Sequence, residues 1–128
     1  MSDEITVATY EMPDGTHRVE ITHQGQVRSF TPAELSEHIN VLANVRENLL
    51  PPVRPDDPQP GEKIAAIVDP RWHTSYEPFI GGALLQLRHP AFGWLGYGLP
   101  IESLRSLHHH LGQVLAIAEQ NATSQKPS

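Results

Sequence analysis

The sequence predicts an α+β fold: an antiparallel sheet with two helices on one face, built as two βββα pseudo-repeats joined by a proline-rich connector. Three observations lead there. Short segments on both sides of the middle of the chain alternate with the two-residue period of a strand. Each set of three is followed by a proline-marked helix start, at Pro32 and at Pro100. Between the sets, five prolines fall within residues 51–60, where neither a helix nor a central strand can form because proline lacks the amide donor.

The elements follow in order. Ile5–Tyr10 alternates as a strand and ends at Pro13-Asp14-Gly15, a turn in which proline presets φ and Asp-Gly tolerates positive φ. Thr16–His23 places His17, Val19, Ile21 and His23 on one face and Thr16, Arg18, Glu20 and Thr22 on the other. Gln24-Gly25 turns the chain into Gln26–Phe30. Thr31-Pro32-Ala33-Glu34 is a capping box that opens a helix striped by Leu35, Ile39, Leu42, Val45 and Leu49, and Pro51 stops it. The connector, 51–61, reads as stiff and extended. Lys63–Val68 adds a further strand. The second set is Trp72–Glu77, Gly82–His89 and Phe92–Leu99, followed by a helix striped by Leu104, Leu107, Leu111, Val114, Leu115 and Ala118. Gly15 and Gly81 stand 66 residues apart, whereas Gly25 and Gly93, Pro32 and Pro100, and Glu34 and Glu102 each stand 68 apart, the offset either of a duplication or of a coincidence among residues common in turns and at helix starts. The expected organisation is one α+β domain over 1–119, with halves 1–50 and 62–119 joined by the connector 51–61. A disordered tail covers 120–128.

The chain has 128 residues and a formal charge of −6, eight histidines and no cysteine. Without cysteine there are no disulfides, no thiolate metal sites and no thiol nucleophile. The acidity lies in the first half: residues 1–50 carry −5, residues 51–62 carry −2 and residues 63–128 carry +1. That distribution argues against nucleic acid, which demands a concentrated positive face. No apolar run is long enough to span a bilayer, and the acidic start does not resemble a signal peptide, so a cytoplasmic setting is the default.

No catalytic residue, cofactor or metal is assigned. His108, His109 and His110 fall about 100° apart around a helix and cannot chelate one ion from one face. His17 and His23 stand roughly 20 Å apart along their strand. The histidines point instead to pH sensitivity: protonating all eight would carry the formal charge from −6 to +2. The glycines 93, 96 and 98 lie within a strand and lack the lysine of a phosphate loop, so they mark close packing or a bulge.

The second half holds six of the eight aromatics, between residues 72 and 97. The strand around Trp94 is apolar or tiny on both faces, which fits a central strand covered on both sides or a subunit interface. The leading functional expectation is therefore a small, non-catalytic protein acting by protein–protein contact as a homodimer, with Phe92, Trp94, Val114 and Ile117 at the interface. A first alternative is a small-molecule-binding or hydrolytic site in which His73, Ser75 and Glu77, on one strand face, meet Trp94 or Tyr97. A second alternative is a weak nucleic-acid-binding regulator that uses Arg71 and Arg88 beside the aromatics.

Overall fold

The computed structural model describes residues 4–124. Its element order is β1 (Thr6–Glu11), β2 (His17–His23), β3 (Gln26–Phe30), α1 (Pro32–Glu47), β4 (Trp72–Glu77), β5 (Gly82–His89), β6 (Gly93–Pro100) and α2 (Ile101–Ser124). This is an α+β protein in which the βββα pattern occurs twice. The strands partition into two antiparallel three-stranded sheets, ordered β1-β2-β3 and β4-β5-β6. The chain divides into two compact units, one ending at Ile64 and the other beginning at Ala65.

The residues that repeat along the sequence occupy matching places. Gly15 and Gly81 sit in the first hairpin turn of each unit with φ of 87° and 70°, and Gly25 and Gly93 sit in the second with φ of 77° and 76°. Left-handed backbone is where a residue without Cβ carries no steric penalty, so glycine there selects the turn.

In the first unit the face of β2 with Val19 and Ile21 is half-buried, and α1 lies against β2 and β3. Leu35, His38 and Ile39 are the half-buried residues of the helix, and the His38 ring lies 5.3 Å from that of Phe30. The capping box forms as the sequence predicts: Glu34 N donates to Thr31 Oγ1 at 3.1 Å, and Thr31 N donates to Glu34 Oε1 at 2.9 Å. The opposite face of the sheet is polar, with Arg18 donating to Ser29 Oγ and the Tyr10 hydroxyl donating to Glu20.

Four sequence expectations are corrected. Lys63–Val68 forms no strand, because none of its residues has a ladder partner. The connector is not simply extended: the Arg54 guanidinium reaches both carboxylate oxygens of Glu62, and the Gln59 amide donates to the same carboxylate at 2.9 Å. The last helix continues past residue 119, through Ser124, because Gln120 and Ala122 are good helix formers and the Thr123 hydroxyl donates back to the Glu119 carbonyl. Residues 125–128 of the expected tail, and Met1 to Asp3, lie outside the described residues. Finally, the strand carrying Trp94 is not central. β5 is the middle strand and β6 is an edge, because the hairpin order places each outer strand beside β5 alone.

Burial is shallow. Among the described residues, Ala83 at 9% exposure is the one buried hydrophobic side chain. Two glycines on the opposite face permit close approach elsewhere in the same sheet. A Cβ on Gly82 would fall 1.9 Å from the Leu99 carbonyl oxygen, and one on Gly98 would fall 2.6 Å from Ile80 Cδ1.

Candidate functional site

Residues paired across an antiparallel ladder share a face of the sheet. In the second unit the register therefore assigns every side chain. Trp72, Thr74 and Tyr76 align with Leu87, Leu85 and Ala83, and these align with Leu95, Tyr97 and Leu99. His73, Ser75 and Glu77 align with Gln86, Leu84 and Gly82, and these with Gly96, Gly98 and Pro100. Arg88 pairs with Trp94 on this second face.

The first face is apolar and carries α2. A groove of about 530 Å3 runs between Thr74, Tyr76, Leu85 and Leu99 on the sheet and Leu104, Leu107 and Leu111 on the helix. Leu104 and Leu107 are half-buried there. The stripe then continues along α2 with no cover: Leu111, Val114 and Leu115 are exposed, the last at 57%. A helix of 24 residues spans about 36 Å, longer than the sheet beneath its first turns. Tyr76 at the rim of the groove is 75% exposed.

The second face gathers a different set. The Arg71 guanidinium lies over the Trp94 ring, 5.4 Å from its centroid, and the His73 ring lies 5.1 Å from it. Trp94 spans β5 to reach them, since β4 and β6 are not neighbours. The next same-face position on β6 is Gly96, which adds no side chain of its own beside the indole. Arg88, on the strand below, donates to the carbonyl of His89.

The structure thus brings Arg71, His73, Arg88 and Trp94 together and separates the other candidates. Tyr97 lies three residues from Trp94 and so faces the opposite side. Ser75 and Glu77 share the face of His73, but no hydrogen bond links the three, and Glu77 Oε1 accepts from the Phe79 amide instead at 3.2 Å. The relay that nucleophilic catalysis requires, base bonded to nucleophile and orienting group to base, is not assembled. Phe92 packs on His89 in the β5–β6 turn, with rings 4.7 Å apart. On α2, Val114 flanks the stripe by about 60° and Ile117 by about 120°. The residues that complete the apolar surface, Tyr76, Leu111 and Leu115, follow from continuing the helical stripe and the strand alternation together.

Among the described residues, no group of three histidine, aspartate or glutamate side chains is placed to hold a metal ion. No described helix is long and apolar enough to cross a membrane. No family model, curated protein or solved structure matches the chain.

Proposed function

We propose that the protein works by protein–protein contact and that its first partner is a second copy of itself, joined through the uncovered half of α2. One observation carries the reading: the apolar stripe anchored by Leu104 and Leu107 runs on through Leu111 and Leu115, which are exposed among the described residues. Surfaces of that kind in water are stabilised by being covered, at roughly 25 cal/mol per Å2 of apolar area before association costs.

The charge pattern of the helix fits a second copy running antiparallel. Between Arg105 and Glu119 there is no acidic or basic side chain other than the three histidines. An antiparallel pair centred on Gly112 sets Arg105 of one helix opposite Glu119 of the other, twice by symmetry.

Sedimentation equilibrium at micromolar concentration tests this. A dimer is expected for the native chain and a monomer for Leu115→Lys. Arg105→Glu weakens the dimer, and adding Glu119→Arg restores it. A native chain that stays monomeric across the concentration range refutes the proposal.

A further inference from the structure

The face of the second sheet turned away from α2 holds a binding arrangement that self-association does not use. Arg71 is stacked on the Trp94 ring yet its guanidinium has no hydrogen-bond or ion-pair partner among the described residues. Arg18, Arg46, Arg54, Arg88 and Arg105 each have one, whereas Arg28, which also has none, lies against no described aromatic ring. Stacking on an aromatic ring uses the flat face of a guanidinium and leaves its planar fork of N–H donors free in the plane. The His73 ring, also against Trp94, is likewise unpartnered and exposed. Trp94 keeps 39% of its surface open.

Two further points narrow the ligand. Neither Arg71 nor Arg88 is ion-paired, so two positive charges on one small patch await a counter-charge. A phosphate monoester, with nearly two negative charges and oxygens that accept both donors of an arginine fork, matches that better than a single carboxylate. The exposed indole supplies a flat apolar surface of the size on which a nucleobase stacks. We infer that Arg71, His73 and Trp94 form a binding site for a nucleotide, its phosphate on the Arg71 fork and its base against Trp94.

The same chemistry is available as a free nucleotide or as one unit of a single strand. The overall charge of −6 favours the free form, because a long polyanion is repelled by the acidic first half.

Fluorescence titration of the full chain carrying Trp72→Phe isolates the Trp94 signal. Adenosine monophosphate is expected to quench it saturably, and inorganic phosphate to compete without quenching. Arg71→Ala weakens binding about tenfold or more. A short thymidine oligonucleotide that binds more tightly than the mononucleotide assigns the site to strand-borne nucleotides, whereas equal or weaker binding assigns it to free ones. Absence of saturable quenching by either ligand up to about 10 mM overturns the site, as does an Arg71→Ala variant that binds unchanged. Leu115→Lys leaves nucleotide binding intact, so failure of the dimer and failure of this site are separable results.

Discussion

Arg54 and Glu62 close the proline-rich segment on itself, guanidinium to carboxylate, with Nη2 and Oε2 2.9 Å apart. The prolines between them limit the conformations of the open chain, and the Gln59 amide adds a second donor to the same carboxylate. A segment that composition describes as a spacer is therefore a closed loop.

Its closure responds to acid. The Arg54 guanidinium, and then the Gln59 amide, hold the Glu62 carboxyl below the usual glutamate range. A carboxyl lowered in the folded state favours the closed loop above its unfolded pKa, and that contribution is lost as pH falls through the folded value. An NMR titration of Glu62 should show a midpoint below that of a free glutamate, returning upward in Arg54→Met. Identical titrations in the two proteins would mean that the loop is open in solution.

The cap of α1 behaves alike. The Thr31 amide, followed by its hydroxyl, lowers the Glu34 pKa, so the capping box is intact at neutral pH and weakens as pH drops through the lowered value. Replacing Thr31 with alanine removes the acceptor for the Glu34 amide and should cost about 1 kcal/mol, read as a lower urea midpoint. In Glu34→Gln the acid-dependent part of the loss should disappear.

Gly82 and Gly98 should differ sharply under the same substitution. Gly82→Ala drives a Cβ into the Leu99 carbonyl, a backbone atom that cannot retreat without parting β5 from β6. Loss of ordered structure in the second unit is expected by circular dichroism. Gly98→Ala meets the Ile80 side chain, most closely its terminal Cδ1, rather than backbone, so a cost of about 1–3 kcal/mol is expected. Ile80→Ala should be less damaging in the Gly98→Ala background than in the native chain, a coupling that denaturation of the four proteins measures.

Much of the fold is legible in the residues because local rules agree with one another. The Asp14-Gly15 turn, the Thr31–Glu34 box and the two-residue alternation of Gly82–His89 each specify their element without reference to the rest of the chain. Arg54 meeting Glu62 is not legible, because prolines alone say only that a segment is irregular. The pairing of Arg71 and His73 with Trp94 depends on a register across three strands, and β6 at the edge depends on strand order. The separation of Trp94 from Tyr97 was readable: an odd spacing along a strand places two residues on opposite faces.

β5 is hydrogen-bonded on both sides and carries the buried Ala83. Its stretch Gly82–Leu87 is uncharged, rich in leucine and free of proline, the composition from which cross-β stacks assemble when such a segment is bare. During synthesis β4 emerges before it and β6 after it, so β5 has one unsatisfied edge until the second hairpin closes. Arg88, His89 and Pro90 follow directly, a charged and strand-breaking boundary that limits how far an early, mispaired β5 can extend. The turn at Gly93 thus sets how long the most aggregation-competent segment stays uncapped, and slowing that turn should appear first as inclusion bodies.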